Sequence, residues 1–258
     1  MRNDVVGWGS TPASLSNSQK SAGVEPQPTE KIVPMNSVSH SPLPSLKLAI
    51  FDWDGTVMDS VSQIVSSLLA VGQHFDVELE AAAAQHIIGL ALPVAMQKLF
   101  PNHTQHIDEM RRVYAEHYHA HPEAAPVFTG FPAMFDALRD QGVKLAVATG
   151  KNRNGLDRVL AQSGLGDYFT ITRSADEANS KPDPLMLQQI LQITGVDAAD
   201  AVMVGDTTFD LQMAQAIAMP RIGVLWGAHS QALLAECDPH ALANTVGELS
   251  HALGVRTN

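Results

Sequence analysis

Cys237 is the only cysteine in the 258 residues, so no intrachain disulfide and no cysteine-built zinc cage can form. Such usage suits a reducing compartment, and a cytoplasmic protein is expected. No apolar run approaches the ~18 to 20 residues of a bilayer-crossing helix. The first residues show neither the apolar core of a signal peptide nor the Arg-rich bias of a transit peptide. Basic side chains are also scarce: 16 Lys and Arg stand against 27 Asp and Glu, a net charge of −11. That balance argues against nucleic acid or anionic lipid as a partner, because both are bound through Lys and Arg that neutralise phosphate. GxGxxG and GxSxG are absent. Gly150-Lys151 is followed by Asn152 and has Leu145 where a Walker A loop has Gly, which disfavours nucleotide-dependent kinases and serine hydrolases. What the chain does have is a 45% hydrophobic share, enough for a sizeable core, and Asp residues crowded into short segments.

Residues 1–45 are rich in Ser, Pro, Asn and Gly and show neither period 2 nor period 3.6. Their charges cancel, Arg2, Lys20 and Lys31 against Asp4, Glu25 and Glu30, and the stretch reads as a disordered tail. From Leu46 the pattern changes. Leu48 to Phe51 is a short apolar run ending at Asp52, as expected of a buried parallel strand. Similar runs cover Lys144 to Ala148, before Thr149-Gly150, and Ala201 to Val204, before Gly205-Asp206, with weaker ones at Phe169 to Thr172 and Arg221 to Leu225. Helical patterns over 153–162, 184–193 and 209–218 separate the later runs, so a parallel α/β sheet is predicted. The 95 positions from Asp54 to Thr149 are too many for one crossover. They read instead as helices over 61–75, 78–88, 94–100 and 107–121. In the last of these, Met110, Val113, Tyr114, His117 and Tyr118 share one face. The expected division is a core of 46–60 with 127–258 and an inserted all-helical cap of 61–126.

In open parallel sheets, ligands bind beyond the carboxyl ends of the strands. The polar residues there are Asp52 and Asp54, Thr149, then Asp206 with Asp210 one turn on, and Lys181 precedes a Pro-Asp-Pro turn. Two carboxylates about 4 Å apart repel by roughly 4 kcal/mol at an effective dielectric of about 20, so such a rim requires a cation or raised pKa values. An all-oxygen donor set favours a hard ion such as Mg²⁺. A calcium loop starting at Asp52 needs Gly at 57 and Glu at 63, where Val57 and Gln63 stand. Taken singly, Thr149 reads as a helix cap, Lys181 as a solvated lysine, and Asp206 and Asp210 as helix N-terminal charges. Their joint occurrence at strand ends points to a site. Asp59 reads as the cap of the helix beginning near Val61. A zinc site on His103, His106, His117, His119 and His121 is disfavoured, since His117 and His121 share a helix face that His119 does not.

FDWDGTVMDS (51–60), VATGK (147–151), KPDP (181–184) and VGDTTFD (204–210) resemble the four ordered motifs of the haloacid dehalogenase superfamily, in its phosphoglycolate phosphatase-like branch. The resemblance spans roughly residues 46–250. It implies a Rossmann-like core with a helical cap, and a Mg²⁺-dependent phosphatase acting on a small phosphorylated metabolite. Asp52 would be the nucleophile that forms an aspartyl-phosphate, and Asp54 the general acid and base. Thr149 and the Gly150 N–H would hold phosphate oxygens, and Lys181 would balance charge. Mg²⁺ would be held by Asp52, the Asp54 backbone carbonyl and Asp206, with Asp210 close by, directly or through water. Asp54 favours phosphate esters over the carbon–halogen and carbon–phosphorus chemistries of relatives that lack an acid there. A sugar phosphomutase with the same chemistry is the alternative, and a non-catalytic phosphate-binding module a more distant one. Lys98, Arg111 and Arg112 are the cap cations able to meet a substrate carboxylate. Trp53 and Trp226 are candidates for walls of the site, each more easily read as core.

Overall fold

The computed structural model describes Leu43 and residues 46–120 and 125–255. The tail lies outside the described residues except for Leu43, as does His121. Six strands form one parallel sheet: β1 (Leu48–Phe51), β2 (Lys144–Ala148), β3 (Ile171–Arg173), β4 (Ala201–Gly205), β5 (Arg221–Val224) and β6 (Ala241–Ala243). Their order is β3-β2-β1-β4-β5-β6. The chain runs outward from β1 through β2 to β3, then crosses to the other side of β1 for β4. The strand order therefore reverses beside β1, the place where such sheets open a crevice for ligands.

The sheet is covered on both faces, which is why β1 and β4 are apolar without alternation. From β1, Ala49 and Phe51 pack on one side with Phe131, Met134, Phe135 and Leu138, and Leu48 and Ile50 pack on the other with Met186, Leu187 and Ile190. Between β1 and β2 lie α1 (Val61–His74), α2 (Ala81–His86), α3 (Leu92–Leu99), a 3₁₀ turn (Pro101–His106) and α4 (Ile107–Ala120). After β1 and this helical insertion come α5 (Phe131–Asp140), α6 (Arg153–Ser163), α7 (Leu185–Thr194), α8 (Thr208–Gln215), α9 (Gln231–Ala235) and α10 (Val246–Ala252). The fold is thus a doubly covered parallel sheet with an all-helical cap.

The cap has its own apolar clusters, one around Ile64, Leu68 and Ile88 and one around Val71, Met96, Phe100 and Met110. The expected stripe of α4 faces inward: Met110 is fully buried, Val113 and Tyr114 pack in these clusters, and His117 Nδ1 lies 3.2 Å from Ser67 Oγ of α1.

Several local expectations shift. The strand expected at 169–172 starts at Ile171, because Gly166–Tyr168 is a 3₁₀ turn. Helix α3 starts at Leu92, with Pro93 in its first turn, where the missing N–H costs nothing. Asp59 is not the cap of α1. Ser60 holds that position, and the exposed Asp59 donates its backbone N–H to Pro126 O at 2.8 Å. Thr149 is likewise not a cap, since Asn152 caps α6 by accepting from the Gly155 N–H at 2.8 Å.

Phe135 is fully buried and makes edge or tilted contacts with Phe51, Phe131, Tyr168 and Phe169. Phe135→Ala is expected to lower the unfolding free energy by about 3–5 kcal/mol, read from urea denaturation. A loss below about 1 kcal/mol would show that this aromatic layer is not a principal support of the sheet.

Candidate active site

Asp52 leaves the end of β1 with its backbone N–H bonded to Val204 O of β4 at 2.9 Å, and is buried. Asp206 follows β4 and is fully buried. Its Oδ1 accepts from Thr56 Oγ at 2.8 Å and its Oδ2 from the Ala228 N–H at 2.7 Å. Asp210 sits in the first turn of α8, in a capping box: its Oδ2 accepts from the Thr207 hydroxyl at 2.6 Å and the Thr207 N–H at 3.1 Å. Lys181 reaches in from the Pro-Asp-Pro turn. Its Nζ donates to Asp52 Oδ1 at 2.7 Å and to Asp210 Oδ1 at 2.6 Å, with the whole side chain out of solvent. Asp52, Asp206 and Asp210 each bring one carboxylate oxygen within 4.8 Å of the others. Three carboxylates thus face one ammonium.

The electrostatics follow from burial. Desolvation, reinforced by Asp210 and Asp206, pushes Asp52 well above the ordinary carboxylate range, against the pull of Lys181. Burial and Asp210 raise Asp206 to about 7, although the Ala228 N–H and Thr56 hydroxyl favour its charged form. For Lys181, burial works against the ammonium, but Asp210 and Asp52 outweigh it and its pKa rises. Asp52 Oδ2 is buried and has no hydrogen-bond partner. A buried polar atom left without a partner costs roughly 1–3 kcal/mol, so its presence marks a place prepared for another group. The donor set, all carboxylate oxygens with an excess of negative charge, fits a divalent cation. Among the described residues no other cluster of this kind occurs.

Asp54 faces a different neighbourhood. Its Oδ1 accepts from Ser60 Oγ at 2.5 Å and lies 3.0 Å from Lys151 Nζ. Lys151 in turn lies 5.0 Å from the centre of the Tyr118 ring, a cap residue, with the Tyr118 hydroxyl at 3.4 Å. Burial opposes the Lys151 charge, but Asp54 and Tyr118 outweigh it and its pKa rises. Asp54 shares its turn with Gly55, whose φ of +78° suits glycine and whose added Cβ would lie 2.3 Å from Asp206 Oδ2. Thr149 is buried after β2 and accepts from the Lys151 N–H at 3.2 Å. At Gly150 a Cβ would lie 2.6 Å from Gly89 O and 2.7 Å from Leu90 O of the cap. Only glycine lets the two loops approach so closely.

Further bonds tie cap to core. The Ala91 N–H donates to Ser180 Oγ at 2.9 Å and Gln85 Nε2 to Ala228 O at 2.7 Å. The buried His229 accepts from the Thr208 N–H at Nδ1 (3.0 Å) and faces His86 O with Nε2 (2.9 Å), which identifies Nε2 as the protonated nitrogen. Between cap and core lies a cavity of about 1250 Å³ that reaches Asp52 and Asp54.

The structure therefore brings together Asp52, Lys181, Asp206 and Asp210, and sets Asp54, Thr149 and Gly150 beside the same cavity or its loops. Ser60, Lys151 and Tyr118 were not singled out from sequence. Ser60 and Lys151 are the last residues of two of the motifs, a usable signal, but Tyr118 reads as core. Lys98 is exposed and does not line the cavity. Arg111 and Arg112 line it but lie beside Asp108 (3.4 Å) and Glu116 (2.7 Å). Trp53 is core, packed on Phe169, and Trp226 donates from Nε1 to Thr56 O at 3.0 Å, so neither walls the cavity. His103 and His106 pack near Phe75, and His119 lies against Arg158.

Residues 49–224 match the family model of the haloacid dehalogenase-like hydrolases. Among curated proteins, the chain is 35% identical over 216 residues to the "Probable phosphatase IndB" of Dickeya dadantii (strain 3937), covering 80% of this chain and 94% of that one. It is 30% identical over 220 residues to a phosphoglycolate phosphatase of Agrobacterium fabrum, covering 81% and 93%. A crystal structure of a predicted phosphatase from Clostridium acetobutylicum superposes with a TM-score of 0.71 at 24% identity, covering 80% and 96%, and shares the fold.

Raised carboxylate pKa values make a pH prediction. Folded Asp52 and Asp206 hold protons that the unfolded chain releases near pH 4, so their contribution to stability falls as pH rises from there through about 7. Metal-free protein is expected to show a higher Tm from this cluster at pH 5 than at pH 8, and a divalent cation should raise the Tm at pH 8 most. Asp206→Asn should flatten both responses; unchanged responses in that variant would place their source elsewhere.

Proposed function

Because the chain belongs to the haloacid dehalogenase-like hydrolases, we propose that it is a Mg²⁺-dependent phosphatase that hydrolyses a small phosphomonoester through an aspartyl-phosphate on Asp52. The observation that carries this reading is the buried Asp52 carboxylate, with Oδ1 held by Lys181 and Oδ2 without any partner. One oxygen is fixed and the other is free to act.

In the first step Asp52 attacks phosphorus, an oxygen–phosphorus bond forms, and the ester P–O bond breaks. Asp54 gives its proton to the departing alkoxide, then takes one from the water that attacks the phosphoenzyme, which returns Asp52 and inorganic phosphate. Ser60 and Lys151 hold the Asp54 carboxyl in place through this exchange of roles. Thr149, the Gly150 N–H and Lys181 supply donors to the phosphoryl oxygens as charge develops on them. Asp52, the Asp54 backbone carbonyl, Asp206 and Asp210 would hold the Mg²⁺. Once bound, the ion supplies positive charge that offsets repulsion between the Asp52 carboxylate and a phosphate dianion. Cap closure over the site keeps bulk water from the phosphoenzyme. The substrate is a small phosphorylated metabolite and not a nucleic acid, and the single buried Cys237 suits a cytoplasmic enzyme.

Purified protein with Mg²⁺ is expected to release phosphate from a panel of phosphomonoesters. Asp52→Asn should cut kcat by at least about 10³-fold, and Asp54→Asn by about 10²-fold with phosphoenzyme accumulating. Normal turnover by Asp52→Asn would remove the covalent mechanism. In H₂¹⁸O, label should appear in the released phosphate; return of the phosphoryl group to a second hydroxyl of the substrate would instead identify a mutase.

A further inference from the structure

We infer that the leaving group accepted by this site is an uncharged, ring-bearing alcohol with one apolar face and one hydrogen-bonding edge, and not a short carboxylic acid. This rests on the phosphatase reading above and describes the other half of its substrate. Size is the first argument. The cavity of about 1250 Å³ exceeds the roughly 300–1,000 Å³ of pockets that enclose drug-sized ligands. A two-carbon acid would fill only a small part of it.

Charge is the second argument. Four cationic side chains line the cavity: Arg111, Arg112, Lys151 and Arg158. A carboxylate one carbon from the ester oxygen would lie near Asp54, the acid acting on that oxygen, whose ion pair is with Lys151. Lys151 is already 3.0 Å from Asp54 Oδ1, with its side chain largely out of solvent. A second anion would have to share that ammonium with Asp54 and would be repelled by Asp54 itself, at a site where solvent screens little. The arginines do not fill the gap. Arg111 and Arg112 lie beside Asp108 and Glu116 on α4, and Arg158 is exposed against the His119 ring.

Shape and polarity are the third. Among the cap residues that line the cavity are Ile88, Leu92 and Val94 and the rings of Tyr114 and Tyr118, stacked 5.7 Å apart at 19°, together with the polar Gln63, Arg111 and Arg112. Asn152, Asn154 and Gln162 line it from the core. Flat aromatic surface and side-chain amides in one cavity suit a ring whose C–H or π face meets the tyrosines while hydroxyls or ring heteroatoms meet the amides. Phosphate monoesters of sugars and of nucleosides both carry such a group.

The test compares kcat/KM for phosphoglycolate, ribose 5-phosphate, a nucleoside 5′-monophosphate and p-nitrophenyl phosphate on the full chain with Mg²⁺. At least one of the two ring-bearing metabolites is expected to exceed phosphoglycolate by about ten-fold or more, and the better of them identifies whether the ring is a sugar alone or carries a base. Phosphoglycolate turned over as well as or better than both would overturn the inference and leave the phosphatase reading intact. No phosphate from any ester, p-nitrophenyl phosphate included, would overturn both. Val94→Trp, at a half-buried position in the cavity lining, narrows the cavity. It should raise KM for the preferred ring-bearing ester about ten-fold more than KM for phosphoglycolate. An equal rise for both substrates counts against the inference.

Discussion

The Lys181 ammonium, lying between Asp52 and Asp210 with all three buried, is the interaction on which the rest of the site depends. Without a cation, three carboxylates could not share the end of two adjacent strands in their charged forms. With only one, they remain overcharged on the negative side. Burial, reinforced by that imbalance, raises Asp52 and Asp206, and a buried oxygen of Asp52 is left without a partner. The same imbalance makes the three carboxylates a donor set that could hold a divalent ion. Stability and chemistry are therefore set against each other at a single point.

Parallel pairing makes the arrangement possible. Phe51 of β1 lies in register with Val204 of β4, so the residues that follow each strand emerge side by side at the same end of the sheet. The reversal of strand order leaves that end open for a ligand. Thr207 and Asp210 then use a helix capping box twice over, satisfying the first N–H groups of α8 while aiming the second Asp210 oxygen at Lys181.

The cap supplies the other boundary. Its contacts with the core include backbone against backbone at Gly150 and Gly89, and side chain to backbone at Gln85, His229 and Ser180. His229 has a particular place among them, because it touches the α2 end of the cap with one nitrogen and the start of α8 with the other. The cap thereby rests directly on the loop that carries Asp206.

Much of this was legible in the sequence, since apolar runs that end in Asp or Thr reflect strands buried on both faces, and that pattern is local. The four motifs marked Asp52, Asp54, Thr149, Lys181, Asp206 and Asp210 for the same reason. Weak local signals fail: β6 has three residues, two half-buried and one buried, too few for a period, and α5 is short although Phe131, Met134, Phe135 and Leu138 recur at helical spacing. Asp59 looked like a cap because caps are inferred from residue type, whereas the Ser60 hydroxyl is used by Asp54. Composition and spacing thus determined the class of fold, the charged strand ends and the presence of an inserted helical domain. Tertiary structure alone decided which carboxylates share Lys181, which oxygen is left free, and that Lys151 and Tyr118 stand beside Asp54. Those facts depend on distances between segments from 29 to 129 residues apart, which no local pattern encodes.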